Sequence, residues 1–224
     1  MIPRLLQGTA DIPGGGELKL FQRGDEFSIM LGATELMNSR KSGSEEALAT
    51  LACAALAGRP APRVLIGGLG MGFTLRAALQ ALPAGAAVTV AELVPAVVAW
   101  ARGPMAHLQQ GSLDDPRVTI REGDVAALIA AAPAVWDAIL LDVDNGPGGI
   151  TVESNDGLYG PAGLAAARRA LRPGGVLAVW SSAPDAAFTA RLHRAGFKAE
   201  EHVVRGGKGG RGPRHLIWIA KTQG

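Results

Sequence analysis

The chain has 224 residues, which suits one ordinary domain with a small extension and argues against a multidomain machine. Its 22 lysines and arginines nearly balance its 20 aspartates and glutamates, so the net charge of +2 lacks the broad positive field of a nucleic-acid-coating protein. Hydrophobic residues make up 48% of the chain and charged residues 19%, which excludes intrinsic disorder. We expect a folded protein that does not bind nucleic acid.

The cysteine content favours a reducing compartment. Cys53 is the only cysteine, so it can make neither an internal disulfide nor a multi-cysteine metal site, and we predict a small buried side chain. No uninterrupted stretch reaches the roughly 18 apolar residues of a membrane span, and the first residues include no long apolar segment. We therefore expect a cytoplasmic protein without a membrane contact.

The N-terminal region alternates between apolar and polar residues. This pattern predicts a β-hairpin with strands at Glu17–Phe21 and Glu26–Leu31. Residues 42–45 then offer N-cap and capping-box chemistry for a helix. We assign residues 1–40 to a small N-terminal β region and residues 41–224 to a larger domain.

Short apolar runs and helical stretches alternate from residue 63 onward. Strands are predicted at Arg63–Gly67, Ala87–Glu92, Val118–Arg121, Ala138–Asp142 and Val176–Ser181, and helices at Phe73–Leu82, Pro95–Leu108, Val125–Ala131, Pro161–Leu171 and Pro184–Ala195. This alternation indicates a parallel sheet covered by helices on both faces.

The end of the chain follows another pattern. Strands predicted at Lys198–Val204 and His215–Lys221 have no helix between them, so the last pair should be antiparallel. The glycine- and arginine-rich segment 205–214 is predicted as a flexible loop between them, or alternatively as a flap that contacts a phosphate or carboxylate.

A glycine-rich turn follows the first predicted strand of the larger domain and opens a helix. Its glycines are Gly67, Gly68, Gly70 and Gly72. Glycine permits both the tight turn and the close approach of a cofactor to the backbone. Phe73 stands where a dinucleotide fingerprint has a third small residue, which disfavours a nicotinamide cofactor.

The next two predicted strands also end in candidate nucleotide ligands. Glu92, followed by Leu93, is placed to accept hydrogen bonds from both ribose hydroxyls. Gly123, Asp124 and Val125 occupy a position that commonly meets the adenine edge in adenosine-binding versions of this fold. Three features in order at successive strand ends predict an adenosine-binding crevice.

Several segments resemble the spermidine synthase family within the class I S-adenosylmethionine-dependent transferases. They are residues 64–72, 88–98, 115–124, 136–142 and 171–177, and the resemblance extends over nearly the whole chain from Glu17. It implies an α/β fold with a Rossmann-like seven-stranded sheet, its last strand antiparallel, beside a small N-terminal β domain. It also implies a homo-oligomer, which we expect to be a homodimer, and S-adenosylmethionine or its decarboxylated form as cofactor.

The chain departs from the aminopropyltransferase pattern of that family. Gly70 stands where the family has an acid, and the family's Gln and Tyr-His-Glu residues align with Glu35 and with residues 44–46, so that only Glu46 is retained. The second acid after the fourth strand is replaced by Asn145 or shifted to Asp144. Our candidate substrate residues are Glu35, Glu46, Asp144, Asn145 and Tyr159.

The long polar segment 142–159 is predicted to form the acceptor site and lid. Asp142 is the candidate base, because an amine with a pKa near about 10 must lose a proton before it attacks. The alternative is that Asp142 only caps a helix or orients the loop. A magnesium site could draw oxygen ligands from Asp142, Asp144 and Asn145. Residues so close in the chain are difficult to place on one face of an octahedral site, so we predict no metal.

These observations favour an enzyme that transfers an alkyl group, methyl in preference to aminopropyl, to a small polar or amine acceptor. Gly70 leaves room for the carboxylate of intact S-adenosylmethionine, which an acid there would repel. Aminopropyl transfer from the decarboxylated donor to a polyamine is the alternative. A non-catalytic adenosine-binding module is the third possibility.

Overall fold

The computed structural model describes residues 2–131, 133–143, 146–147, 157–207 and 211–222. The strands are β1 (Leu5–Asp11), β2 (Glu17–Arg23), β3 (Glu26–Leu31), β4 (Thr34–Asn38), β5 (Arg63–Gly67), β6 (Ala87–Glu92), β7 (Val118–Glu122), β8 (Trp136–Leu141), β9 (Leu171–Ser181), β10 (Phe197–Gly207) and β11 (Arg211–Thr222). The helices are α1 (Gly43–Ala54), α2 (Phe73–Ala81), α3 (Pro95–Arg102), α4 (Ala106–Gln109), α5 (Val125–Ala130), α6 (Pro161–Ala170) and α7 (Ala186–Arg194). Within these ranges, none of the helices is long and apolar enough to cross a bilayer.

The strands form two sheets, as the sequence predicts. The larger sheet has seven strands in the order β10-β11-β9-β8-β5-β6-β7. Strands β5 to β9 run parallel, whereas β11 is antiparallel to both β9 and β10. Residues of α1–α3 pack in one hydrophobic cluster and residues of α5–α7 in another, with alternate residues of β5 in each. The predicted fold class is confirmed.

The N-terminal sheet has four antiparallel strands in chain order, of which the sequence predicted only the central hairpin, β2 and β3. Strand β1 does not show the alternation of apolar and polar residues, because Leu5 and Leu6 are both exposed and a bulge interrupts its pairing with β2. Leu20 and Ile29 are buried in the same cluster as residues of the larger sheet. The boundary near residue 40 stays a prediction.

Two local predictions are wrong in detail. The helix expected at Pro95–Leu108 is divided into α3 and α4, because Pro104 lacks the N–H that a continuous helix needs. Ser42 occupies the N-cap position of α1, but its side chain makes no capping hydrogen bond. The Ser44 hydroxyl instead donates to Glu45 Oε2 at 2.6 Å.

The final hairpin is longer than the sequence indicated. Arg205 pairs with Arg214, and Gly207 pairs with Arg211, so the two strands continue into the segment expected to be a loop. That loop prediction is wrong for residues 205–207 and 211–214, and residues 208–210 lie outside the described residues. The extended ladder carries the start of β11 towards the carboxyl end of β9.

The buried carboxylate of Asp137 links three segments of the chain near the amino-terminal end of β8. Asp137 on β8 is 2% exposed. One of its oxygens accepts a hydrogen bond from Arg59, and the other accepts from the Arg63 backbone N–H at 2.7 Å and from Arg172 Nη1 at 3.0 Å. Each of these bonds joins strands or loops that are distant in the chain.

We expect Asp137→Ala to lower the free energy of unfolding by about 2 kcal/mol or more, because it removes a buried acceptor that binds two arginines and a backbone N–H group. Asp114→Ala is the matched control. Asp114 pairs with Arg102 but is 80% exposed, so its loss should cost less than about 1 kcal/mol. Urea denaturation of both variants measures the difference, and equal costs would contradict this account of Asp137.

Candidate active site

A cavity of about 360 Å³ opens where β5, β6, β7 and β8 end, between these strands and the N-terminal sheet. Its volume is in the range of about 300–1,000 Å³ that small-molecule sites occupy. Parallel sheets bind ligands at this edge, beside the point where the strand order reverses, which here lies between β5 and β8. Nine of the sequence-predicted site residues line the cavity: Glu35, Gly68, Gly70, Glu92, Leu93, Gly123, Asp124, Val125 and Asp142.

The glycine loop is shaped by close contacts that only glycine permits. Gly68 and Gly72 have φ angles of +87° and +79°, and a Cβ on Gly68 would collide with the carbonyl oxygen of Asp142. Gly70, with φ +51°, faces Met37, whose Cε would lie 2.6 Å from an added Cβ. Gly67 and Gly72 shape the turn without lining the cavity.

Glu92 holds the glycine loop against the end of β6. Its side chain is 7% exposed; Oε2 accepts from the Leu69 N–H and Oε1 from the Val94 N–H, each at 2.9 Å. Burial raises the pKa of Glu92, and these backbone N–H groups oppose the rise. The backbone N–H groups of Gly70 and Leu93 act on the carboxylate in the same sense. Glu92 also lines the cavity, so its carboxylate is next to the space that a ligand would occupy.

The residues after β7 are anchored in the same way. Asp124 caps α5 by accepting the Ala126 N–H at 2.8 Å through Oδ1, which leaves Oδ2 for other donors. Gly123 donates its N–H to the carbonyl oxygen of Glu92 at 2.7 Å. The end of β7 is therefore tied to the end of β6, and the two predicted nucleotide contacts share one wall of the cavity.

Two carboxyl groups meet where β8 ends. Asp142 Oδ2 accepts a hydrogen bond from Thr74 Oγ1 at 2.5 Å. Burial and the negative charge of Glu45 raise the pKa of Asp142 to about 7, against the effect of Thr74. Burial also raises the pKa of Glu45. A carboxyl group with a pKa near neutrality is suited to accept a proton during a reaction.

Two predicted substrate residues lie elsewhere. Glu46 is adjacent to Glu45, but successive helical residues point about 100° apart. Its Oε1 lies 3.7 Å from Arg76 Nη2 in a separate surface depression, so Glu45 takes the place in the cavity that the alignment assigned to Glu46. Tyr159 is 3% exposed and stacks edge-on against Phe188 in the core.

The remaining predicted substrate residues are Glu35, Asp144 and Asn145. Glu35 lies at the exposed rim of the cavity and accepts a hydrogen bond from Asn38 Nδ2 at 2.7 Å. Asp144 and Asn145 lie outside the described residues. Over the described part of the chain, no three His, Cys, Asp or Glu side chains gather as a metal site would require, and the absence of a metal remains a prediction.

The cavity residues that sequence reasoning missed include Lys41, Trp180, Pro213 and His215. They come from the segment before α1, the end of β9 and the start of β11. Pairing of Leu216 with Ser181 brings the last two segments together. No local motif marks these residues. The antiparallel pairing of β11 with β9 brings Trp180, Pro213 and His215 together, and the packing of α1 on the last hairpin adds Lys41. Trp180 and His215 could have been found only from the strand register.

This strand order and the cavity at the switch point are those of the class I S-adenosylmethionine-dependent methyltransferase-like fold. A crystal structure of spermidine synthase from Thermotoga maritima superposes with a TM-score of 0.76 over 96% of this chain and 72% of that one, at 19% identity. The resemblance to spermidine synthases that the sequence motifs indicated is thus confirmed at the level of fold. No protein-family model matches the chain.

The sequence relatives include a polyamine aminopropyltransferase from Mycobacterium tuberculosis (strain CDC 1551 / Oshkosh), 33% identical over 130 residues. This match covers 57% of the present chain and 24% of the relative. Putrescine N-methyltransferase 4 from Nicotiana tabacum is 37% identical over 116 residues, which are 51% of this chain and 28% of the relative. The chain therefore matches about a quarter of the length of these relatives.

The raised pKa of Asp142 predicts a pH-dependent stability. The folded state holds a proton up to about pH 7, whereas the unfolded carboxyl group releases it near its ordinary pKa of 3.8. Stability should therefore fall as the pH rises through this window. We expect the free energy of unfolding to drop between about pH 5 and about pH 8 by about 2 kcal/mol or more in the wild type relative to Asp142→Asn, since each unit of pKa shift is worth about 1.4 kcal/mol.

Urea denaturation at the two pH values measures this difference. Asp25→Asn, in the exposed turn between β2 and β3, serves as the control and should keep the wild-type pH dependence. Identical pH dependence in Asp142→Asn and the wild type would show that Asp142 is an ordinary ionised carboxylate in the folded protein.

Proposed function

We propose that this protein transfers an alkyl group from a sulfonium donor of the S-adenosylmethionine type to an amine. The observation that carries the proposal is the cavity itself, which brings the glycine loop, Glu92, Asp124 and Asp142 to one place. Each of these features alone is compatible with a structural role. Together they provide a backbone cradle, two acids for a nucleoside and one acid for a proton.

The residues of this chain position the reactants. Glu92 holds the ribose hydroxyls, and the donor lies along the part of the glycine loop that lines the cavity, at Gly68 and Gly70. The donor supplies an electrophilic carbon attached to sulfur. As the amine forms its bond to this carbon, the carbon–sulfur bond breaks, its electron pair stays on sulfur, and Asp142 takes the proton of the amine. Catalysis is then mainly positioning.

We favour aminopropyl transfer over the methyl transfer that the sequence suggested, because polyamine aminopropyltransferases recur among the sequence relatives and spermidine synthases among the similar folds. Methyl transfer remains the second candidate, supported by the similarity to putrescine N-methyltransferases. The occupation of the space beside Gly70 by Met37 makes Gly70→Asp an unsuitable test of donor choice. The domain boundary, a homodimer and a cytoplasmic location stay predictions.

We expect Glu92→Gln to weaken binding of the preferred donor at least tenfold, about 1.4 kcal/mol, because an amide replaces one acceptor oxygen with a donor. Isothermal titration calorimetry with S-adenosylmethionine and with its decarboxylated form measures the effect. Glu122→Gln is the matched control, since Glu122 ends the neighbouring strand β7 and does not line the cavity. If Glu92→Gln binds both donors as tightly as the wild type does, the nucleoside of the donor does not bind at Glu92.

We expect Asp142→Asn to lower turnover by about 10² or more while donor affinity changes little, because the amide cannot accept the proton. Turnover is measured with each donor and with putrescine as the acceptor. Glu46→Gln is the control and should retain activity, since Glu46 lies outside the cavity. Donor binding without turnover in the wild type would support a non-catalytic adenosine-binding module instead.

A further inference from the structure

A second set of polar side chains in the cavity carries nitrogen rather than oxygen. This nitrogen group consists of Lys41, Trp180 and His215, all of which line the cavity. The rings of Trp180 and His215 stack with their centroids 4.9 Å apart. The mechanism proposed above assigns no role to any of the three residues.

Two nitrogens of this group are buried without a hydrogen-bond partner among the described residues. They are Trp180 Nε1 and His215 Nδ1. An indole N–H can only donate, and leaving a buried donor unpaired costs about 1–3 kcal/mol. Buried polar atoms are nearly always paired in folded proteins. Five other buried polar atoms among the described residues also lack a partner, but only Trp180 and His215 belong to residues that line the cavity, where a ligand can supply an acceptor atom.

Lys41 adds a positive charge to these donors. Its side chain is exposed and forms no ion pair with any described residue. Together with burial, Lys41 lowers the pKa of His215, so the imidazole is neutral at pH 7 and one ring nitrogen can donate. A cationic ligand placed here would be repelled by Lys41 and would offer no acceptor to Trp180.

The position of Lys41 beside His215 is fixed by backbone packing. A Cβ on Gly43 would lie 2.8 Å from the carbonyl oxygen of Arg205, so the start of α1 packs directly on the last hairpin. His215 is on the partner strand of that hairpin, where it pairs with Val204. The nitrogen group is therefore assembled by the fold rather than by a flexible side chain alone.

We propose that the nitrogen group binds a carboxylate of one of the two reactants. The inference rests on the proposed transfer reaction and defines its substrates more narrowly. Glu45 and Asp142 bind the amine. The nitrogen group binds the carboxylate. If the donor is decarboxylated, as in the favoured aminopropyl transfer, the carboxylate belongs to an acceptor of the amino-acid type. If it belongs to intact S-adenosylmethionine, the reaction is the second candidate, methyl transfer. Both sources present the same oxygen acceptors and the same negative charge.

Two ligand pairs distinguish the sources, because the members of each pair differ by one carboxylate. The donor pair is S-adenosylmethionine and its decarboxylated form, and the acceptor pair is ornithine and putrescine. Isothermal titration calorimetry measures each ligand separately with the full chain. The variants are Lys41→Met and the control Lys19→Met, whose lysine pairs with Glu17 at 2.8 Å outside the cavity.

We expect Lys41→Met to weaken binding of the carboxylate-bearing member of one pair at least tenfold, while its decarboxylated counterpart changes less than about threefold. Lys19→Met should change neither. The pair that responds identifies the source of the carboxylate. If neither pair depends on Lys41, the inference is overturned.

A second measurement reports on the contact itself. The indole N–H resonance of Trp180, assigned by comparison with Trp180→Phe, should shift with the carboxylate-bearing member of the responding pair and remain in place with the other. Equal shifts with both members would contradict a carboxylate contact. If the wild type binds neither donor, the proposed function fails, but ornithine and putrescine titrated without donor still decide whether the nitrogen group binds a carboxylate.

Discussion

The Glu92 carboxylate is the interaction on which the cavity depends. It stands at the end of β6 and accepts the backbone N–H groups of Leu69, in the glycine loop, and Val94, in the following turn. Its own carbonyl oxygen accepts the N–H of Gly123 after β7. One residue thus connects the loops after three neighbouring strands, and its buried acid is stabilised by the backbone dipoles that hold those loops in place.

The cavity beside this anchor is electrostatically divided. The carboxyl groups of Asp142 and Glu45 lie in this cavity, and burial together with the charge of Glu45 raises the pKa of Asp142 to about 7. Lys41 and the neutral His215 supply nitrogen donors in the same cavity. In the proposed reaction, the acids would bind the amine and the nitrogen group would bind the anionic group, which would orient the two reactants before reaction.

The cavity residues that sequence reasoning located share one property: each lies next to the end of a strand. Gly68, Gly70, Glu92 and Asp142 each follow an apolar run that predicts a buried strand, and parallel strands bring their carboxyl ends to one edge. The alignment assigned the acid of α1 to Glu46, one position away from Glu45, which lines the cavity. Successive helical residues point about 100° apart, and the rotation of α1 is set by its packing against β8, β9 and β10. Tyr159 was assigned to the substrate, but its ring packs in the core.

The sequence by itself determined the class of fold, the positions of the parallel strands β5 to β9 along the chain and the acids at their ends, since hydrophobic periodicity and turn residues act over short distances along the chain. Only the tertiary structure decided which side chains complete the cavity from afar. Lys41, Trp180 and His215 meet because β11 enters antiparallel beside β9 and because α1 starts against the last hairpin. Such contacts follow from sheet register and packing between distant segments, for which the local pattern of residues carries no signal.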